Sequence, residues 1–192
     1  MSTLKQQQFQ LREQAIITAM YELLAKNGYT ATSMDDVAER VGISKATLYL
    51  HFKSKVELTL RVIIGEIEAA ERRIRSLDPA LSAIDRLMQA LYTGIQRRAT
   101  LGNAHHIEIT LDEIINNPEF QAAEQRVDEA TRALIEEGVR QGDIRSDVSV
   151  AVIQQFISTM FNMDFNYLLK QGSSVDQICS QIIDLVNRAI RE

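Results

Sequence analysis

The stretch Gly42–Glu57, "GISKATLYLHFKSKVE", holds two helix-start signals and a dense set of hydrogen-bonding side chains. Ser44 can cap a new helix, and Ser54 with Glu57 forms the S-x-x-E pattern of a capping box. Between the two serines lie lysine, threonine, tyrosine and histidine side chains and no acidic residue. This stretch therefore predicts a short helix that presents hydrogen-bond donors and is followed at once by another helix.

A further short helix is predicted immediately before it, in residues 30–42, "TATSMDDVAERVG". Ser33 is the N-cap, and Asp36 places negative charge near the positive end of the helix dipole. Gly42 ends this helix, and one residue separates it from the next cap. Two short helices joined so tightly must cross at a steep angle, which is the spacing of a helix-turn-helix. The side chains predicted to face the core are Val37, Ala38, Val41, Leu48 and Phe52.

The second helix of such a motif places its N-terminal residues in the DNA major groove, and its flanks face phosphate. Lys45, Ala46 and Thr47 occupy the first turn, where a cation, a methyl and a hydroxyl can reach base edges or a phosphate. Donors suited to holding the phosphate backbone follow, namely Tyr49, His51, Lys53 and Lys55. Two alternatives stay open, because Tyr49 can also pack as a core aromatic and a lysine such as Lys53 is also typical of plain surface.

Residues 27–58, "NGYTATSMDDVAERVGISKATLYLHFKSKVEL", resemble the DNA-binding head of the TetR family of bacterial transcriptional regulators, and the similarity covers about Ile16–Leu60. The resemblance implies a homodimer that binds a palindromic double-stranded DNA operator and represses transcription, and whose DNA binding is lost or altered when a small-molecule effector binds. Ala46 and Leu50 differ from residues frequent at those positions, so no base preference carries over. The resemblance places Lys45, Thr47, Tyr49, His51 and Lys55 at DNA contacts and Thr32 and Ser33 near phosphate. Together with Ala46, these residues make up the predicted DNA-contact set.

The composition of the whole chain limits the other classes of protein that it can be. It has 192 residues, a formal net charge of -5 and 45% hydrophobic residues. No apolar run approaches the roughly 18 residues of a membrane span, and the N-terminus lacks the apolar segment of a secretory signal. The single cysteine, Cys179, cannot form an internal disulfide, so a reducing cytoplasm is expected. Residues 1–60 carry seven Lys and Arg against six Asp and Glu, whereas the remainder carries fourteen against twenty, so a polyanion would be steered to the N-terminal part.

Apolar residues recur at helical spacing along the chain, which predicts an all-α protein. A three-helix head over residues 1–55 is expected to bind DNA, and a long helix from Val56 to about Ser76 joins it to a ligand-binding and dimerisation body over residues 56–192. Gly28 is predicted to end the first helix. The predicted helices outside the helix-turn-helix are Phe9–Asn27, the long helix, Leu81–Thr100, Ala104–Ile115, Pro118–Arg140, Val148–Gln171 and Val175–Arg191.

The last two predicted helices are more apolar than a single core requires. The final helix carries a continuous apolar stripe, and the one before it is apolar nearly all round. A four-helix contact across a two-fold axis would cover the excess, although burial inside one protomer is the alternative. The residues predicted at this dimer contact are Phe161, Ile178, Ile182 and Val186.

The body is also predicted to hold the effector, in an apolar cavity with some polar groups. The candidate lining residues are Met88, Tyr92, His105, Phe156 and Met160. His105 shares a helix face with Glu108 and Asp112, a spacing that suits a metal, a polar cavity wall or plain polar surface. No nucleophile-elbow, phosphate-loop, zinc-protease or paired-cysteine motif occurs, so neither an enzyme nor a cofactor is expected. The alternatives to a regulator are an enzyme that carries a helix-turn-helix by descent and a non-specific helical docking module.

Overall fold

The computed structural model describes residues 4–101 and 116–192 of the chain, and these form α-helices joined by short turns. The all-α prediction is confirmed. The helix predicted at 104–115 lies outside the described residues. The helices are α1 (Leu4–Asn27), α2 (Met34–Val41), α3 (Lys45–His51), α4 (Lys55–Arg75), α5 (Ala83–Leu101), α6 (Pro118–Gln141), α7 (Val150–Met160), α8 (Phe165–Lys170) and α9 (Val175–Ile190).

The described residues fall into two compact units, and α4 contributes residues to both. The first unit, which we call the head, contains residues 4–66 and 116–121, and the second, which we call the body, contains residues 67–101 and 122–192. The core of the head comes from the inward faces of its helices, with Ile16, Met20, Val37, Leu48 and Leu58 fully buried. None of the described helices combines the length and the apolarity needed to cross a membrane.

The helix ends in the head follow the chemistry predicted from the sequence. Ser33 and Asp36 form a complete capping box at the start of α2, and the Ser44 side chain accepts the backbone N–H of Thr47 at the start of α3. Gly42 ends α2 with a φ of 74°, a left-handed conformation that costs a residue with a Cβ roughly 1 kcal/mol or more. These three local signals fix the helix-turn-helix where the sequence predicted it.

Two predicted helices differ from the observed ones by more than two residues. The segment Val148–Gln171 was expected to be one helix, but α7 ends at Met160 and α8 begins at Phe165. The side chain of Asp164 accepts a hydrogen bond from the backbone N–H of Tyr167 and caps the start of α8. Asp164 is therefore an N-cap, whereas the sequence prediction had placed it inside one continuous helix. The first helix also begins earlier than expected, at Leu4 in place of Phe9.

The apolar stripe of α9 faces the core of its own body. Ile178, Ile182 and Val186 are buried in one cluster with side chains of α5 and α7, so they are not available for the predicted contact with a second copy. Phe161 is half-buried against the same cluster, and a Cβ at Gly94 would lie 2.9 Å from its Cε1 atom. The same helical stripe arises whether the partner is α5 or another subunit, and here α5 covers it.

Candidate nucleic-acid interface

The helix α3 is held against the head by one side and exposes the other. Leu48 and Phe52 are buried among the head core, which fixes the rotation of α3 about its own axis. The side chains of Lys45, Tyr49 and Leu50 are consequently exposed, and so is that of Ala46. Residues separated by three or four positions are neighbours on a helix, so these four side chains form one continuous surface, which we call the α3 face.

The α3 face carries chemistry that suits the edges of base pairs. It offers an ammonium and a phenol hydroxyl as donors, and the methyl and isobutyl groups of Ala46 and Leu50 as apolar contacts for a thymine methyl. Leu50 is 73% exposed, which is unusual for a leucine on a helix that belongs to a core. Leu50 was not in the contact set predicted from the sequence, although its four-residue spacing from Ala46 places it on this face.

Thr47 lies at the margin of the α3 face. Its side chain is half-buried, and its hydroxyl is 2.8 Å from the Ser44 hydroxyl that caps the helix. Thr47 therefore combines a structural contact with partial exposure at the first turn of α3.

Lys45 does not extend freely into solvent. Its ammonium lies 2.7 Å from Oδ1 and 2.8 Å from Oδ2 of Asp35, the second residue of α2. The hydrogen bond and the charge of Asp35 raise the pKa of Lys45 above its ordinary value, so the lysine is a cation at neutral pH. Both side chains are mostly exposed, at 60% and 64%, and an exposed pair of this kind exchanges readily with water or a competing anion.

The two residues predicted near phosphate at the start of α2 have other contacts. Thr32 is buried, and its hydroxyl donates to the carbonyl oxygen of Gly28 at 2.8 Å. Ser33 is exposed, but its hydroxyl donates to Oδ2 of Asp36 and accepts the Asp36 N–H. The Thr32 side chain therefore belongs to the turn that joins α1 to α2, and this corrects its predicted place in the contact set.

His51 is also placed differently from the prediction. Its side chain is 1% exposed, and its ring stacks on Phe9 of α1 with centroids 4.0 Å apart. Glu13 is the nearest acidic group, with Oε2 3.9 Å from Nδ1. The first turns of α1 cover His51, so it is a packing residue of the head and cannot reach DNA without leaving that site.

Lys55 is tied to the turn after α1. Its ammonium donates to the carbonyl oxygen of Tyr29 and lies 3.9 Å from the centroid of the Tyr29 ring. A cation over an aromatic ring is stabilised by the ring quadrupole. The contact links the start of α4 to the α1–α2 turn, which is a structural role in addition to the predicted phosphate contact.

In the body, the structure does not bring the predicted ligand residues into one described cavity. Met88, Tyr92 and Met160 are partly buried against the core cluster, whereas Phe156 is exposed on α7. His105, with Glu108 and Asp112, lies outside the described residues. Across the described ranges no group of His, Cys, Asp and Glu side chains is arranged to hold a metal.

A groove occurs elsewhere on the body, along the end of α4 and the facing sides of α5 and α6. Its volume is about 290 Å³, and it contains none of the five predicted ligand residues. Arg86 pairs there with Glu137, and apolar walls come from Ile74, Leu77 and Leu134.

The chain is similar to known proteins in both parts. The family model described as "Bacterial regulatory proteins, tetR family" matches residues 16–62. The HTH-type transcriptional repressor KstR2 of Mycolicibacterium smegmatis is 26% identical over 188 residues, which cover 91% of this chain and 88% of that protein. The HTH-type transcriptional activator FasR of the same organism is 44% identical over 57 residues, or 30% of this chain and 26% of FasR. A solved regulator of the TetR/AcrR family from Thermobifida fusca has a TM-score of 0.74 and 25% identity, with 94% of this chain and 99% of that chain covered.

Proposed function

This chain belongs to the TetR family of bacterial regulatory proteins, and we propose that it is a homodimeric repressor that binds a palindromic DNA operator through α3 and responds to a small-molecule effector. Relatives over most of its length are transcriptional regulators. The family model covers the helix-turn-helix together with parts of α1 and α4. A regulator acts where the bacterial chromosome lies, so we place the protein in the cytoplasm.

The observation that carries the proposal is the α3 face. Lys45, Ala46, Tyr49 and Leu50 are exposed together on a helix whose opposite side is buried, in the motif that inserts its second helix into the major groove. The N-terminal residues of that helix reach base edges, so we assign base contacts to Lys45 and Ala46 and contacts along the groove wall to Tyr49 and Leu50. Thr47 and Ser33 join this set at its margin.

Binding to a palindrome requires two protomers, one head for each half-site. The exposed apolar residues of the body provide a contact through which two protomers can pair. Val152 and Phe156 lie four residues apart on α7, and Leu185 is exposed on α9, which packs against α7. Large apolar side chains exposed on neighbouring helices are typical of protein interfaces. A two-fold axis through this surface pairs α7 and α9 of one protomer with the same helices of its partner.

Repression is the proposed sign of regulation. The repressor KstR2 matches along nearly the whole chain, whereas the similarity to the activator FasR is confined to a short segment. An effector that binds one conformation of the body better shifts the dimer toward that conformation. The factor by which the effector changes the affinity for DNA equals the factor by which DNA changes the affinity for the effector. Catalysis is not part of the proposal, because the relatives are regulators and no catalytic motif occurs in the sequence.

The proposal is tested by in vitro selection from a library of random-sequence duplexes with the purified protein. A palindromic sequence should be enriched, with half-sites centred about one helical turn, roughly 34 Å, or a multiple of it apart. Tyr49→Ala with Leu50→Ala should abolish enrichment while the helical circular-dichroism spectrum is unchanged. Enrichment of no sequence, or the same enrichment by the double variant, contradicts the proposal.

A further inference from the structure

The centre of the α3 face is apolar. Successive residues of an α-helix lie about 100° apart, which places Ala46 and Leu50 about 160° from Leu48 in opposite senses and about 40° from each other. Leu48 is fully buried in the head core, so the strip formed by Ala46 and Leu50, which we call the apolar strip, points directly away from the head. Lys45 and Tyr49 lie on one flank of it. With α3 in the major groove, the apolar strip is the middle of the surface that meets the base pairs.

The apolar strip offers no hydrogen bond to DNA, and this limits what it can meet favourably. Leu50 is 73% exposed, whereas Leu48, two positions earlier on the same helix, is 0% exposed. A donor or acceptor of a base edge that is pressed against an isobutyl group loses its water and gains no partner, which disfavours that base. The C5 methyl group of thymine is the apolar group that base pairs present in the major groove. The contact therefore favours thymine.

We infer that Leu50 is a specificity-determining residue, which together with Ala46 selects a thymine in each half-site of the operator through its C5 methyl group. The inference rests on the proposed function, because it requires α3 to lie in the major groove. The two protomers present the same side chains, so the selected thymines are related by the two-fold axis of the operator.

The size of the effect follows from the methyl group alone. Burial of one such group changes affinity about fourfold, or ~0.8 kcal/mol, and two half-sites together give about 15-fold. Replacement of a symmetric pair of thymidines by deoxyuridine removes only the methyl groups and keeps the hydrogen-bonding groups of the bases. Operator affinity should therefore fall about 5- to 15-fold at the pair that meets Leu50. Random duplex, which is bound through phosphate, should not respond to the same replacement.

Leu50→Ala tests whether the methyl group acts through this side chain. The variant should bind the thymidine operator more weakly than wild type and lose most of the penalty for deoxyuridine, because the surface that met the methyl group is gone. The matched control is Leu11→Ala. Leu11 lies on α1 and is 72% exposed, so this substitution removes an equally exposed leucine from outside the α3 face and should keep the full penalty. Circular dichroism reports whether both variants stay folded.

A second change to the DNA separates the methyl group from the rest of the base. Cytosine at the same two positions should bind poorly, and 5-methylcytosine restores the methyl group on an otherwise unchanged cytosine. The methylated duplex should regain about 5- to 15-fold in affinity with wild type and with Leu11→Ala, but not with Leu50→Ala. An equal gain with Leu50→Ala would overturn the inference.

The experiment is fluorescence-anisotropy titration of the selected operator, with each symmetric pair of thymidines replaced in turn by deoxyuridine, and with wild type, Leu50→Ala and Leu11→Ala. The inference is supported if at least one pair gives the expected loss with wild type and Leu11→Ala and little loss with Leu50→Ala. It is overturned, while the proposed function stands, if the selected half-sites contain no thymine, if every pair can be replaced without loss, or if Leu50→Ala keeps the wild-type penalty. If the wild type selects no sequence, the proposed function itself fails and this inference falls with it.

Discussion

The proposed dimer contact can be tested with two residues three positions apart on α9, because substitution by glutamate should weaken the dimer at one position and unfold the protomer at the other. Leu185 is 66% exposed, whereas Ile182 is buried in the body core. Leu185→Glu should leave the protomer folded and weaken the dimer. Ile182→Glu should instead unfold or severely destabilise the protomer, since an unpaired charge in a core costs several kcal/mol.

The size of the effect at Leu185 follows from its exposure. Complete burial of a leucine side chain contributes about 1.5–3 kcal/mol, so burying the exposed two-thirds contributes about 1–2 kcal/mol per protomer. The two-fold axis doubles this to about 2–4 kcal/mol, which raises the dimer dissociation constant about 30- to 1,000-fold. Desolvation of the introduced carboxylate adds to the loss.

Sedimentation velocity over a range of protein concentrations measures the dissociation constant, and circular dichroism shows whether the helices persist. Ser180→Glu is the control, because Ser180 is exposed about 140° around α9 from Leu185 and should leave the dimer unchanged. A Leu185→Glu variant that dimerises as tightly as wild type would refute the assigned face. A wild-type protein that is monomeric at all concentrations would refute the dimer as a whole.

Three further predictions concern the head and the body core. Lys45→Ala should lower operator affinity and relax the preference at one base position, measured by repeating the selection with the variant. Hydrogen bonds from Ser33 hold the pKa of Asp36 below its ordinary 3.8, so this carboxylate stabilises the head fully above pH 3.8 and less as the pH falls through the lowered pKa. The difference in melting temperature between wild type and Asp36→Asn should therefore shrink in acid, and a difference that stays constant with pH would contradict this prediction. Gly138→Ala should lower the free energy of unfolding of the body by about 1–2 kcal/mol, measured by urea unfolding, because the new Cβ would lie 2.6 Å from Cδ1 of buried Ile144. This steric cost exceeds the gain in helix propensity from glycine to alanine. Unchanged stability would contradict the prediction and show that Ile144 can move aside.

The features that the sequence predicted well depend on local chemistry. Ser33, Ser44 and Gly42 act through backbone groups within four residues, so the caps and the turn of the helix-turn-helix were predictable from spacing alone. The burial of Leu48 followed from the same geometry, because the turn fixes which side of α3 faces the head.

The features that the sequence missed depend on distant partners. His51 is buried because Phe9 of α1 stacks on the imidazole ring, a contact between residues far apart in the chain. Lys45 is paired by Asp35 across the turn, and no spacing rule selects Asp35 over Asp36 for that role. Amphipathicity located the apolar stripe of α9, but it could not distinguish α5 of the same body from a second subunit as the partner.

The central claim is that the α3 faces of two protomers bind the two half-sites of one operator. Hydroxyl-radical footprinting of the wild-type protein on the selected duplex tests this claim directly. We expect two protected patches related by a two-fold axis, with centres about 10–10.5 base pairs or a multiple of that apart, and loss of both patches with Tyr49→Ala and Leu50→Ala. A single asymmetric patch, or protection that survives the loss of these two side chains, would contradict it.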